Sequence, residues 1–154
     1  MRVFTVEFEA VAVTAAQDFF EIDAAAGKPV KLLALFLSQS SDVGDAAEEI
    51  LRWRVIRGHT TSGSGGSAPT PRPVNPSDAA AGFTAEVNNT TIASAGTAVN
   101  LHSDAFNIRT GLPFIPTPEM QLQTSEANLI VVRLMAAPTD SLTMSGTLYV
   151  AEDG

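Results

Sequence analysis

The amino-acid sequence predicts an all-β domain, a jelly-roll-like sandwich or barrel with long Gly/Pro-rich loops. Apolar and polar residues alternate with a period of two over most of the chain, as they do in strands with one buried face. Roughly eight to ten such segments are short and are separated by Gly, Pro, Asn and Ser turns, a pattern typical of sandwiches and barrels. The 154 residues fit one domain, which we expect to span residues 1–154.

The first half of the chain contains four predicted strands, at 2–13, 17–23, 30–38 and 50–57. The length of the first predicts a bend or bulge within it. The third is apolar on both faces, which predicts a central strand buried on both sides. In the fourth, Trp53 is expected to anchor the core. The apolar face of the first strand consists of Phe4, Val6, Phe8, Ala10 and Ala12.

A Gly/Ser-rich and then Pro-rich segment interrupts the strands at about 58–82. Gly and Ser favour flexibility in its first half, and the prolines favour an extended second half. A loop of this length inside a compact domain is either functional or disordered. We interpret it as a long irregular surface loop between strands of one fold, with a linker between two domains as the alternative.

The second half of the chain again contains short predicted strands. In the last of them, apolar and polar residues alternate clearly. The segment 112–115 is flanked by prolines and is expected at a sheet edge or in an extended arm. The closing strand places Leu142, Met144, Gly146, Leu148 and Val150 on one face. The predicted strands are 83–87, 91–93, 98–108, 112–115, 120–124, 128–135 and 142–151.

Composition narrows the classes of partner. Nine basic and seventeen acidic residues give a net charge of −8, which disfavours a nucleic-acid partner. The most apolar stretch, 32–37, is far shorter than the ~20 residues needed to span a bilayer. We therefore expect a soluble protein with neither a membrane nor a nucleic acid as partner. The start of the chain lacks the pattern of a signal peptide.

No residue pattern indicates catalysis or a cofactor. His59 and His102 each stand alone, so we expect solvated or capping histidines rather than metal ligands. Asp42 and Asp45 could contribute to a calcium site, but their spacing does not match a calcium-binding loop. The Gly-rich run at 62–67 lacks the Lys and helix of a phosphate loop. We expect no enzyme, no cofactor and no metal.

Several segments resemble small structural proteins of tailed bacteriophages. They are DFFEI (18–22), QSSDVGDA (39–46), SGSGGSAPTPRP (62–73), NNTT (88–91) and AAPTDSLTMSGTLYV (136–150). Several such proteins are similar to jelly-roll decoration (cement) proteins, which sit as trimers on the capsid and clamp neighbouring shell subunits. The resemblance implies a virion protein on the capsid exterior, made in the cytoplasm of the bacterial host, with itself and the major capsid protein as partners.

Extended Gly/Pro-rich segments can order on binding and cover neighbouring surfaces. We therefore expect the long loop and the Pro-flanked strand to make the protein contacts. Another virion role, as a neck or tail subunit or as a fibre-borne receptor- or glycan-binding domain, remains the alternative. The hypothesised contact residues are Arg57, His59, Pro69, Arg72, Pro73, Pro113, Phe114 and Pro116.

Overall fold

The computed structural model describes residues 1–41, 48–125 and 127–154. Within these ranges the chain forms eleven strands and one 3-10 turn at Pro118–Met120. The strands are β1 (Arg2–Val13), β2 (Gln17–Asp23), β3 (Val30–Gln39), β4 (Ile50–His59), β5 (Arg72–Pro73), β6 (Thr84–Asn89), β7 (Val99–Asn107), β8 (Leu112–Phe114), β9 (Gln123–Thr124), β10 (Leu129–Leu134) and β11 (Leu142–Glu152).

These strands form two antiparallel sheets packed into a sandwich, which confirms the all-β prediction. The first sheet has the order β5-β1-β11-β3-β8, with β9 also paired to β3. The second sheet has the order β6-β2-β10-β4-β7. The principal pairs are nested: β1 with β11, β2 with β10, β3 with β8 and β4 with β7. This is the strand order of a long hairpin rolled into a jelly roll.

The core fills the space between the sheets with the inward residues of each strand. Trp53 is fully buried, as expected of a core anchor. On β11, all five residues of the predicted inner face are buried. One of them is Gly146, where a Cβ atom would lie only 2.9 Å from the ring of Phe8. The aromatic side chain thus occupies the space that the glycine leaves free.

The predicted bulge in β1 is present, and it reverses the faces of the strand. The register against β11 shifts between Phe8 and Val11, and Ala10 adopts a left-handed conformation with φ 51°. Since two residues of β1 oppose one of β11 there, the inward positions change parity. Val13 is therefore buried, whereas Ala10 and Ala12 are exposed, and their predicted place on the apolar face is wrong.

The prediction that β3 is buried on both faces is also wrong. Val30, Leu32, Leu35 and Leu37 face the core, but Phe36 is 38% exposed. The outward side of the first sheet is not covered by any segment that the structure describes. An apolar residue on this side of β3 therefore stays in contact with solvent.

The Gly/Ser-rich segment differs from a free loop. Residues 60–67 run antiparallel to 87–94 through the bridges Thr61 to Ser94, Ser64 to Thr91 and Ser67 to Val87. We call residues 60–67 and 90–97 the cover, because they pack over the outward side of the second sheet. Ala93 of the cover is buried in a small apolar cluster with Ile56, Leu129 and Val131. The expected strand at 91–93 is thus part of this cover.

Other expectations are refined or fall outside the described ranges. The predicted strand at 120–124 shortens to β9, and β8 lies at a sheet edge as expected. Asp42 and Asp45, the candidate calcium ligands, lie outside the described residues. In the part of the chain that is described, no helix is long and apolar enough to cross a membrane.

Candidate binding surfaces

Five of the eight hypothesised contact residues lie at or next to opposite edges of the first sheet. Arg72 and Pro73 form β5, at one end of the strand order, and Pro69 precedes this strand. Residues 113–116 belong to or follow β8, at the other end. The fold therefore separates the two predicted contact segments by the whole width of the sheet.

The β5 edge consists of Arg72, Pro73 and Val74. Pro73 and Arg72 pair with Phe4 and Thr5 of β1, and the backbone N–H of Val74 donates to the carbonyl of Val3 at 2.8 Å. The Arg72 side chain is exposed, and Val74 is 56% exposed. This edge thus presents a cation beside an apolar side chain.

The β8 edge consists of residues 112–120. Its exposed side chains include Pro113, Ile115 and Met120, and the last two are 67% and 59% exposed. Glu119 adds a carboxylate, and hydrogen bonds from its own backbone N–H and from Thr117 lower the pKa of that carboxyl. The β8 edge therefore presents an anion beside apolar side chains.

Two of the hypothesised contact residues on this edge are not free surface groups. Pro116 is buried. Phe114 is half-buried, with its ring centroid 5.3 Å from that of Trp53 and 4.7 Å from that of His102. Phe114 thus joins the edge to the core, and His102 is part of an aromatic cluster rather than a solvated residue.

The outward side of the first sheet, which we call the open face, is weakly apolar. The Phe36 and Tyr149 rings meet edge to face with centroids 6.2 Å apart. Thr143, Ser145 and Thr147 of β11 continue the face and are half-buried. The face therefore carries neutral side chains on β3 and β11, and the exposed carboxylate of Glu7 lies beside them on β1, opposite Thr147.

The outward side of the second sheet differs because the cover closes it with a polar network. Arg133 donates to Asp18 through Nε at 2.6 Å and through Nη2 at 3.3 Å. Asp18 also accepts the backbone N–H of Ala93 at 2.8 Å, and Arg133 donates to the Ala93 carbonyl at 3.0 Å. The buried ion pair therefore binds the cover to β2 and β10.

His59 belongs to this network, so of the two expected roles, solvated or capping, the solvated one is wrong. It ends β4 and is 8% exposed. Its Nδ1 lies 3.1 Å from the carbonyl of Ala95, and its Nε2 lies 3.4 Å from Nη2 of Arg133. A neutral ring with its proton on Nδ1 satisfies both contacts. His59 is therefore an anchor for the cover rather than a contact residue.

Glu21 forms the second anchor of the cover. It accepts hydrogen bonds from the Ser62 hydroxyl and from the backbone N–H of Gly63, the latter at 2.9 Å. The Asn89 amide donates to the nearby carboxylate of Glu86 at 2.8 Å, and the Ser62 oxygen lies 2.9 Å from the same carboxylate. Burial raises the pKa of Glu21, and the neighbouring Glu86 acts in the same direction.

A pocket lies at the end of the sandwich where β4 ends and β9 is paired to β3. We call it the end pocket. It has a volume of about 640 Å³, and Arg57 is its charged residue. The Arg57 Nη1 donates to the Gln123 carbonyl at 3.0 Å. The lining residues are Pro29, Arg57, Gly58, Thr97, Val99, Gln123, Thr124, Ser125 and Asn128.

The described residues include no group of three or more His, Cys, Asp and Glu side chains that could hold a metal ion. Comparison with protein-family models, with curated proteins and with solved structures yields no match to this chain. The arguments about function therefore depend on the geometry and on the resemblance described above.

Sequence reasoning missed Asp18, Glu21 and Arg133, the residues that attach the cover. The available signal was a charged residue next to the apolar residues at the centre of a strand, in QDFFEID and LIVVRL. Charges at such positions are rarely buried unless they are paired. Their partners could not be inferred, because Asp18 and Arg133 are 115 residues apart in sequence.

Proposed function

We propose that this protein decorates a bacteriophage capsid as a cyclic homotrimer. In this arrangement the β5 edge of one copy contacts the β8 edge of the next, and the open face contacts the shell. The observation that carries the proposal is the placement of two complementary edges at opposite ends of one sheet.

Opposite edges favour a ring over a two-fold dimer. A contact between two different patches is heterologous, and it closes into a ring when the rotation between copies allows closure. Arg72 on one edge and Glu119 on the other have opposite charges. Val74, Ile115 and Met120 supply exposed apolar area on the two sides. Complementarity of both kinds supports this contact between copies.

The short edges also restrict how copies can associate. β5 has two residues and β8 has three, and each contains a proline. Proline cannot donate a ladder hydrogen bond, and short edge strands discourage continuous strand addition. The edges therefore suit side-chain contacts of defined geometry better than an open-ended β-sheet.

The open face supports the second half of the proposal. Phe36, Tyr149 and the hydroxyls of β11 can be buried without removing a charge from water, and the carboxylate of Glu7 beside them would pair with a cationic group on the shell. Binding only to the assembled shell would stabilise that shell by mass action. A ring of three copies would present three such faces, and the effective concentration of the second and third contacts would raise the affinity.

Light scattering coupled to size-exclusion chromatography tests the trimer. We expect about 48 kDa, three times the chain mass of 16.1 kDa. Arg72→Glu and Glu119→Arg should each shift the mass towards one chain, and the double variant should restore the trimer. Arg52→Glu makes the same charge change on an exposed residue of the second sheet and should leave the mass unchanged.

A monomer at concentrations of tens of micromolar would refute the trimer and would favour the neck, tail or fibre alternatives. Co-sedimentation with assembled empty capsids tests the shell contact. Phe36→Ser should weaken this binding while the trimer persists. Equal binding of Phe36→Ser and the unmodified protein would refute the assignment of the open face.

A further inference from the structure

We infer that the end pocket binds a small hydroxylated carboxylic acid of monosaccharide size, with Arg57 pairing with the carboxylate. This inference goes beyond the proposed role on the capsid and does not depend on it. The volume of the end pocket, about 640 Å³, lies within the range of small-molecule sites in proteins. The lining residues supply the chemistry that selects the ligand.

Arg57 supplies the positive charge. Its side chain is exposed, and a single contact from Nη1 to the Gln123 carbonyl holds it at 3.0 Å. Among the described residues the ion pairs join Arg2 with Glu152, His102 with Asp104, and Arg133 with Asp18. None of them involves Arg57, so its remaining N–H groups are available to a carboxylate, which a guanidinium binds in a two-pronged geometry.

Neutral polar groups surround this charge. Thr97, Gln123, Ser125 and Asn128 line the pocket, and the Asn128 amide donates to the Ser125 hydroxyl at 3.3 Å. Thr124 also lines the pocket, and its buried hydroxyl has no hydrogen-bond partner in the described structure. Because these hydroxyl and amide groups lie close together, they can form hydrogen bonds with several hydroxyls of one ligand.

The backbone fixes the position of Arg57. Gly58 follows it with φ 96°, and a Cβ atom there would lie 2.1 Å from the carbonyl oxygen of Thr97. Gly96 approaches the carbonyl of Gly58 in the same way, since a Cβ atom on Gly96 would lie only 2.3 Å from that oxygen. Two glycines thus let the end of β4 pack directly on the segment before β7. Preorganisation of this kind lowers the cost of binding.

The charge of the lining favours a carboxylate over a phosphate. Arg57 is the one Lys or Arg among the residues that line the pocket. One guanidinium matches one negative charge, whereas phosphate sites usually combine a cation with further charges or with a helix N-terminus. Pro29 and Val99 add apolar surface, against which a sugar ring could lie.

Titration of the ¹⁵N-labelled full chain with D-glucuronate, followed by NMR, tests the inference. We expect saturable shifts of the Gly58, Thr97 and Ser125 amides. D-glucose, which has the hydroxyls but no carboxylate, should bind at least about tenfold more weakly, because a hydrogen bond to a charged group contributes more than a neutral one. Acetate, which has only the carboxylate, should also bind at least about tenfold more weakly.

Arg57→Gln should weaken glucuronate binding at least about tenfold, whereas Arg52→Gln on the same strand, outside the pocket, should not change it. The absence of shifts at these amides would overturn the inference. So would equal affinity for glucose, for acetate or for inorganic phosphate, since each result would remove one part of the proposed chemistry. If Arg57→Gln left the affinity for glucuronate unchanged, the binding site would lie outside the end pocket.

Discussion

Individual charged residues decide how the outer layer of the second sheet is attached. Asp18 and Arg133 are almost completely buried, and their ion pair also satisfies the N–H and the carbonyl of Ala93. Moving two charges out of water is costly, and the pair repays that cost only when further hydrogen bonds are made. The contacts with Ala93 fulfil this condition and bind the cover at the same time.

Breaking this ion pair from one side should be more damaging than replacing both partners. We expect Asp18→Asn to lower the free energy of unfolding by about 3–5 kcal/mol, because the Arg133 charge then stays buried without a counter-ion. The double variant Asp18→Asn with Arg133→Met should lose less than the sum of the two single losses, by at least about 1 kcal/mol. Urea unfolding measures both, and additive losses would contradict the coupling.

The pH dependence of stability should report on Glu21. Because burial raises its pKa in the folded protein, the folded state holds this proton more tightly than the unfolded state. The contribution of Glu21 is then fully present below about pH 4.5, its ordinary pKa, and is lost as the pH rises through the folded value.

Glu21→Gln should therefore remove part of the decline in stability as the pH rises from about 4.5 towards neutrality. Denaturant unfolding at several pH values measures this decline. Glu7→Gln, at an exposed position on β1, is the control and should keep the profile of the unmodified protein. Identical pH profiles for Glu21→Gln and the unmodified chain would show that Glu21 makes no such contribution.

At the scale of the elements, local sequence patterns predict most strands but not what covers them. Alternation predicts the bounds of β1, and the Phe19-Phe20 pair with the turn residues after it predicts β2, because all of these signals are local. The two faces of β3 look alike in sequence. Which of them meets solvent depends on what packs against the sheet, and this cannot be read from β3 alone. The cover has the composition of a flexible linker, and it is ordered by Asp18, Glu21 and Arg133, which lie far away in sequence.

The bulge in β1 allows a test with two neighbouring alanines. Ala10 has φ 51°, a conformation that disfavours a side chain, whereas Ala12 is exposed in regular strand. Ala10→Gly should raise the free energy of unfolding by up to about 1 kcal/mol, because relief of strain exceeds the entropy cost of glycine. Ala12→Gly should lower it by about 0.5–1 kcal/mol. Thermal unfolding distinguishes the two, and a loss of equal size at both positions would contradict the left-handed bulge.

At the scale of the whole molecule, the sequence predicts the class of fold but not the order of its strands. Alternation shows that strands exist and, away from bulges such as that in β1, which residues face inwards, yet it holds no information about which strands pair. The same limit applies to the binding surfaces. The sequence context of Pro113 predicts an edge, whereas that of Pro73 predicts an irregular loop, and only the strand order places both at opposite ends of one sheet.

The nested pairing also affects how the protein is made. Arg2 on β1 contacts Glu152 on β11, 150 residues later. At about 5–20 residues per second, the ribosome needs roughly 8–30 s to supply that partner. Throughout this interval the apolar face of β1 is uncovered, and the edge of β1 that will later pair with β11 has no partner. The emerging chain is therefore open to aggregation until β11 appears, and a chaperone that shields β1 would raise the yield of folded protein.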